Sequence, residues 1–172
     1  MTGTIVLARL LTPDDYGLVG MVTVVIGFVS MFKDAGLSIA TVQEKEISHE
    51  QISTLFWLNM IISAILGLCI LAVSPMVALF YGKPELTAIT AALSISFIIS
   101  GLTIQHQVLQ MRHMRFGVLA GIQIGSQIVT LAVTVILAVL GWRYWSLVGG
   151  AIAQALAGTL LTYITCPWVP GR

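Results

Sequence analysis

Charge is what this 172-residue sequence has least of. Only 9% of its residues are Asp, Glu, Lys or Arg, against about 25% in soluble domains, while 58% are hydrophobic and the mean hydropathy is +0.99. The formal net charge of +1 is small and dispersed, with no basic run interleaved with aromatic residues, which excludes a nucleic-acid partner. The scarcity of charge therefore predicts a membrane protein.

Groups that perform metal or acid–base chemistry are also scarce. The two cysteines, Cys69 in an apolar run and Cys166 near the end of another, favour neither a disulfide nor a metal site. The three histidines lack an acidic or cysteine partner at ligand spacing, so we expect solvated side chains in or beside loops: His49, His106 and His113. No glycine-rich phosphate loop with a lysine is present. We expect no metal, no cofactor and no catalytic residue, which argues against an enzyme.

The charged residues fall in clusters separated by five uncharged stretches of 17, 32, 26, 27 and 28 residues. A helix needs about 20 apolar residues to cross about 30 Å of hydrocarbon, and these stretches are continuously apolar instead of alternating as barrel strands do. We therefore predict an all-α, polytopic membrane helix bundle with five full transmembrane helices, in a single membrane domain over residues 1–172. The approximate spans are 14–32, 53–81, 85–106, 116–140 and 145–165, and residues 1–11 are the expected end of a further, truncated helix.

Loop charges predict an orientation. Three basic residues lie in loops on one side and five on the other, so the positive-inside rule places the loops near Lys45 and Arg112 in the cytoplasm. The loops near Asp14, Lys83 and Arg143 are then on the outer side, where most of the interfacial tyrosine and tryptophan residues also fall.

Two prolines mark where helices start and bend. In the segment TPDD, Thr12 is a good N-cap, Pro13 suits the first helical position, and Asp14 and Asp15 fall in the first turn, where the helix dipole favours acidic side chains. Pro75 falls late in the second predicted span, and both a static kink and a hinge are open interpretations.

The uncharged stretch FGVLAGIQIGSQIVT, residues 116–130, has two contrasting faces. At 100° per residue, three glycines spaced four apart share one face, which we expect to be a packing seam for another helix: Gly117, Gly121 and Gly125. The opposite face carries Gln123, Ser126, Gln127 and Thr130. Amide side chains in hydrocarbon need hydrogen-bond partners or water, so two interpretations stay open: bonds to neighbours such as Gln154 or Asn59, or a water-filled path.

The candidate site residues follow from these patterns. The candidates for the wall of a polar cavity are Arg9, Asn59, Gln123, Ser126, Gln127, Thr130 and Gln154. Arg9 lies in an apolar segment, and its alternative is snorkelling to the nearby interface. Arg112 and Arg115, at i and i+3 beside a predicted membrane edge, are candidates for contact with a lipid phosphate, with simple positive-inside anchoring as the alternative.

Four stretches carry a resemblance to a known family: LARLLTPDDYGLVGM, DAGLSIATVQEKEISHEQISTLFWLN, FYGKPELTAITAALSISFIISGL and GWRYWSLVGG. They resemble the N-terminal region of polysaccharide biosynthesis exporters, the Wzx-like flippases of the multidrug/oligosaccharidyl-lipid/polysaccharide superfamily. The resemblance covers nearly the whole chain. It implies a protein of twelve or more helices in two lobes, of which this chain corresponds to most of one, lacking the start of the first helix and everything from the seventh helix onward.

The resemblance also implies a function and partners. Such a flippase moves a polyprenyl-pyrophosphate-linked oligosaccharide across the bacterial inner membrane by alternating access, for O-antigen, capsule or exopolysaccharide synthesis. The implied partners are that lipid-linked oligosaccharide, membrane lipid, and the missing second lobe or another membrane protein. The alternative is a non-transporting membrane interaction subunit whose glycine seams bind other membrane proteins. An open groove lined by Gln123 and Gln127 favours transport, and full engagement of both by neighbouring helices favours the interaction subunit.

Overall fold

The computed structural model describes residues 11–34 and 49–166, which form five α-helices. They are α1 (Pro13–Asp34), α2 (His49–Tyr81), α3 (Glu85–Arg112), α4 (Phe116–Val139) and α5 (Tyr144–Thr165). The described residues are 91% helical, and none of them lies in a strand. Helices α2 to α5 are each long and apolar enough to cross a membrane. The fold is therefore all-α, and the chain is a multi-pass membrane protein.

The helix boundaries differ from the predicted spans mainly at the polar ends. Helix α2 begins at His49, four residues before the membrane span predicted at 53–81, and α3 continues to Arg112, beyond the span predicted at 85–106. The polar run QHQVLQMR at 105–112 suggested the end of a span, but most of its side chains are buried against neighbouring helices. Membrane crossing by α1 stays a prediction, because only α2 to α5 meet the length and hydropathy criteria. The truncated helix expected at residues 1–11 lies almost entirely outside the described residues.

Three helices end in the same hydrogen-bonded turn, which explains the short connections between α2 and α5. After α2, Gly82 adopts φ +65° and the amide of Lys83 donates to the carbonyl of Ala78 over 3.0 Å. Gly141, with φ +80°, occupies the equivalent position after α4, and Met114, with φ 55°, occupies it after α3. A residue with positive φ followed by a bond back to the last helical turn is the Schellman motif, which satisfies carbonyls that the helix leaves open.

Helices α2 and α3 form one antiparallel pair, α4 and α5 form a second, and contacts between α3 and α5 join the two pairs. Small residues let the backbones approach at these interfaces. A Cβ added to Gly101 of α3 would lie 2.6 Å from the Cβ of Ser63 on α2, and one added to Gly150 of α5 would collide with Thr134 of α4. Close backbone approach is a main source of helix association in lipid, where apolar burial gives little.

The apolar core lies at one end of the bundle, called here the Arg143 end, which holds the start of α1, the α2–α3 turn and the α4–α5 turn. Its buried members come from α1, α2, α3 and α5: Leu18, Val22, Val77, Ala78, Leu86, Ile89, Leu93 and Val148. The opposite end, called the Arg112 end, holds the α3–α4 turn and buries the larger polar side chains Asn59, Gln105, His106 and Gln110 beside apolar ones. The apolar cluster therefore lies at the Arg143 end, and the large buried polar side chains lie toward the Arg112 end.

Asp15 ties α1 to the Arg143 end. Its Oδ2 accepts hydrogen bonds from the backbone amide of Thr12 at 3.1 Å and from the Thr12 hydroxyl at 2.7 Å, while the Asp15 amide donates to Thr12 Oγ1 at 3.4 Å. This reciprocal arrangement is a capping box, so the N-cap predicted from TPDD is confirmed. The other carboxylate oxygen, Oδ1, lies 3.6 Å from Nε of Arg143, in the α4–α5 turn.

Helix α2 continues through Pro75 to Tyr81. Proline has no amide hydrogen, which leaves the carbonyl of Leu71 without its usual donor. The hydroxyl of Ser74 donates to that carbonyl at 2.7 Å and takes the place of the missing bond. Whether Pro75 also acts as a hinge stays a prediction.

Candidate functional site

A groove with two adjoining sections runs between the helices. The first section, about 190 Å³, lies among α3, α4 and α5, and the second, about 370 Å³, lies among α1, α3 and α5. Ser100, Gln154 and Ala155 line both sections, which places the two side by side. We call them the polar section and the apolar section, after the side chains that line them.

The polar section is lined by hydroxyl and amide side chains from three helices. Helix α3 supplies Ser100, Thr103 and Gln107, α4 supplies Gln123 and Ser126, and α5 supplies Gln154 and Thr159. None of the described residues that line it is charged. Hydroxyls and primary amides can both donate and accept hydrogen bonds, so this wall suits a polar, uncharged ligand or water.

Hydrogen bonds fix some of these groups and leave others available. The hydroxyls of Thr103 and Thr159 lie 2.7 Å apart and join α3 to α5. Ser126 donates to the carbonyl of Gln123 at 3.0 Å, so its hydroxyl hydrogen is used within its own helix. The Gln123 side chain, by contrast, is exposed and borders the groove. The amides are thus the groups that can exchange partners with a ligand.

The apolar section is lined mainly by hydrocarbon. Its wall includes Val19 and Ile26 of α1, Leu93 and Phe97 of α3, and Ala151 of α5. Because it joins the polar section at Ser100 and Gln154, the groove presents polar and apolar surfaces side by side. An amphiphile with a polar head and a hydrocarbon chain matches such a surface.

Three of the predicted cavity residues meet in the groove: Gln123, Ser126 and Gln154. Gln127 is exposed beside them, and its Oε1 accepts from Nε2 of Gln154 at 3.5 Å, the outer limit of a hydrogen bond. The structure therefore brings together the α4 and α5 glutamines from the sequence prediction, without tying them tightly to each other.

The other predicted site residues lie elsewhere. Asn59 is buried between α2 and α3, where its Nδ2 donates to Oε1 of Gln105 at 3.4 Å. Thr130 is half-buried, donates to the carbonyl of Ser126 at 2.8 Å, and does not line the groove. Arg115 is exposed at the start of α4, and Arg112 is half-buried at the end of α3. Arg9 lies outside the described residues.

Sequence reasoning missed the contribution of α3 to the groove. A signal was present, because five polar residues of α3 recur at spacings of three and four: Ser96, Ser100, Thr103, Gln107 and Gln110. At 100° per residue they share an arc of about 80°, so they form one polar face of that helix. The prediction of a polar cavity wall was based on the closely spaced glutamines of α4 and did not include this face of α3.

The glycine seam predicted on α4 is wrong for two of its three members. Gly117 and Gly121 are exposed, and a Cβ added to either would meet no described atom within 4 Å. Gly125 does contact α5, because a Cβ there would lie 3.0 Å from Cδ1 of Leu161. Small residues on an apolar helix do not by themselves distinguish a face that packs on another helix from one that meets lipid.

His106 also differs from the prediction. It was expected to be solvated in or beside a loop, but it lies inside α3 with none of its surface exposed. His113, at the end of the same helix, is exposed as expected.

Comparison with known proteins identifies the family. Residues 6–172 match the family described as "Polysaccharide biosynthesis protein". The chain is 26% identical over 154 residues to the lipopolysaccharide biosynthesis protein WzxC of Escherichia coli, covering 90% of this chain and 30% of that protein. It is 27% identical over 166 residues to the succinoglycan biosynthesis transport protein ExoT of Rhizobium meliloti, covering 96% and 33%. No solved structure matches the chain.

A third relative is the teichuronic acid biosynthesis protein TuaB of Bacillus subtilis, 32% identical over 103 residues, covering 60% of this chain and 21% of that protein. The chain thus spans about a third or less of the length of these curated relatives. All three are named for the synthesis or transport of surface polysaccharides. Because the family match extends over residues 6–172, the chain belongs to the polysaccharide biosynthesis protein family.

Proposed function

We propose that this chain is part of a flippase that moves a polyprenyl-pyrophosphate-linked oligosaccharide across the bacterial cytoplasmic membrane by alternating access. The groove forms part of the path. The observation that carries the proposal is the junction of a neutral polar section and an apolar section at Ser100 and Gln154. A lipid-linked sugar needs both surfaces at once, because its head cannot enter hydrocarbon without hydrogen-bond partners while its tail stays there.

The state of the glutamines favours transport over the interaction-subunit alternative. Gln123 is exposed beside the groove, and the contact of Gln127 with Gln154 is long and exposed. Fully engaged glutamines would be expected in a bundle that only packs. In the proposed orientation, the Arg112 end faces the cytoplasm, and Arg112 and Arg115 stand where a pyrophosphate approaching from that side meets the protein first.

Thiol accessibility tests the groove directly. With both native cysteines replaced by serine, single cysteines are placed at Gln123 and Thr159 and at their lipid-facing neighbours Ile124 and Leu160. These neighbours are 62% and 63% exposed but point away from the groove wall. A membrane-impermeant thiol reagent should label the groove positions at least ~10-fold faster, because a thiolate forms readily only in contact with water.

A lipid-linked oligosaccharide added before labelling should then slow the reaction at Gln123 and Thr159. A cysteine at Trp142, which is exposed in the α4–α5 turn at the other end of the bundle, serves as the position that should stay reactive. Equal, slow labelling at all four membrane positions would contradict a hydrated path and would favour the interaction-subunit alternative.

A further inference from the structure

His106 lies among aromatic rings in the part of α3 nearest the Arg112 end. Its ring centroid is 4.2 Å from that of Tyr163 on α5, at an interplanar angle of 35°, and 6.1 Å from that of Phe56 on α2, edge to face. The side chain is fully buried. An ionisable residue is costly inside a membrane protein, so one retained there is a candidate for a functional role.

Two buried amide side chains close to His106 along α3 are incompletely hydrogen-bonded. The neighbouring Gln105 is fully buried and accepts a bond from Asn59, but its Nε2 has no hydrogen-bond partner among the described residues. Gln110, one turn further, donates to the hydroxyl of Thr165 at 2.9 Å while its Oε1 has no such partner. Amide dipoles with spare donors and acceptors can reorient toward a charge that appears beside them.

Two of the rings that face the imidazole come from α5 and α2. From α5 the titratable group is Tyr163, whose ring lies against it, and from α2 the facing residue is the uncharged Phe56. Along α2 the nearest charged residue is Glu50, six positions from Phe56, and along α3 it is Arg112, six positions from His106, each about 9 Å of helix rise away. The ring of Tyr163 is well placed to stabilise an imidazolium, because a cation is attracted to the face of an aromatic ring within about 6 Å.

We propose that His106 is a proton-binding site, and that its protonation alters the α3–α5 contact that forms the wall of the groove. The imidazole takes one proton from water and becomes a cation held against Tyr163. Three contacts join α3 to α5 about one turn apart: Thr103 with Thr159, His106 with Tyr163, and Gln110 with Thr165. The first of them lines the polar section, so a change at His106 reaches the groove across a single turn.

The use of this proton in transport rests on the proposed function, but proton binding itself does not. Nuclear magnetic resonance of the whole chain in detergent micelles, with ¹³C-labelled histidine and threonine, measures it without a transport assay. The signals of the three histidines are assigned by replacing each in turn with asparagine. His113→Asn is the matched control, because His113 is an exposed histidine at the end of the same helix.

The ring signal of His106 should titrate between about pH 5 and pH 8.5, and the Thr159 methyl signal should move with the same midpoint. The movement at Thr159 should vanish in His106→Asn and persist in His113→Asn. Tyr163→Leu should reduce the proton affinity of His106 about three- to tenfold, because it removes the aromatic face.

A His106 signal that does not move across this range overturns the proposal, and so does a titration that leaves Thr159 unchanged. The wild-type titration decides the first point even if a His106 variant fails to fold. A titrating His106 beside a groove that resists thiol labelling would retain the proton site and remove the flippase proposal. A groove that is labelled by the thiol reagent, together with a His106 signal that does not titrate, would retain the flippase proposal and remove the proton site.

Discussion

Replacing Asp15 by alanine tests how α1 is held at the Arg143 end. The Asp15 side chain is only 2% exposed, and its Oδ2 accepts two hydrogen bonds from Thr12. Its Oδ1 faces Arg143, whose side chain is 69% exposed. The two carboxylate oxygens therefore have different partners. We expect most of the stabilisation to come from the capping box and little from the ion pair.

The magnitudes follow from burial. Asp15→Ala leaves the Thr12 cap in place but removes both bonds that the Asp15 carboxylate accepts. Hydrogen bonds to a charged acceptor contribute about 1.5–3 kcal/mol, so the variant should lower the free energy of unfolding by about 2–3 kcal/mol. An ion pair with an exposed arginine is screened by water, so Arg143→Gln should cost at most about 0.5 kcal/mol. In a chain of this length, the alanine variant should melt about 5–10 °C lower and the glutamine variant within about 2 °C of wild type.

Thermal unfolding in detergent micelles, followed by circular dichroism, measures both variants and the double variant. The coupling between Asp15 and Arg143 in the double-mutant cycle should be small, about 0.5 kcal/mol or less. A loss in Arg143→Gln as large as that in Asp15→Ala would refute this reasoning, because it would make the ion pair the main link between α1 and the α4–α5 turn.

Two further predictions concern the helix interfaces. Gly101→Ala should destabilise the chain by about 1–3 kcal/mol, because the new methyl group meets the Cβ of the facing serine on α2. Gly121→Ala, at an open position, should instead gain about 0.5–1 kcal/mol of helix stability. Thermal unfolding in micelles measures both variants, and equal changes in stability would contradict the packing of α2 on α3. Thr103→Val and Thr159→Val should each cost about 0.5–1.5 kcal/mol, and a double-mutant cycle should show coupling between them. Additive effects would mean that the two hydroxyls do not bond across α3 and α5.

Features set by neighbours in sequence could be predicted from the sequence. The cap at Thr12 involves residues only three apart, so the segment TPDD includes every residue that forms it. All five described helices could be predicted from the spacing of charges, since a long uncharged run has few alternatives to a helix in lipid. Helix α3 continues beyond the span predicted at 85–106, and Gln105 and Gln110 in this last part are buried between helices.

Features set by which helices are neighbours could not be predicted in this way. The polar face of α3 becomes a groove wall only because α5 packs beside it and α4 packs on α5. His106 is buried for the same reason, since Tyr163 comes from a helix far along the chain. Periodicity identifies a polar or small-residue face, but the partner of that face depends on long-range packing. The open Gly121 and the closely packed Gly101 look alike in sequence and differ only in this respect.

The neutrality of the polar section bears on how a flippase would release its cargo. A sugar hydroxyl that binds Gln123 or Gln154 exchanges a hydrogen bond to water for one to an amide, a net gain of only about 0.5–1.5 kcal/mol for each bond. An arginine in the same place would hold a pyrophosphate more strongly, through paired charge-assisted bonds. Arg112 and Arg115 lie at the Arg112 end instead and do not line the groove. In the proposed flippase, separating the cations from the amides would let charge attract the headgroup at the membrane edge while weak, exchangeable bonds guide it through.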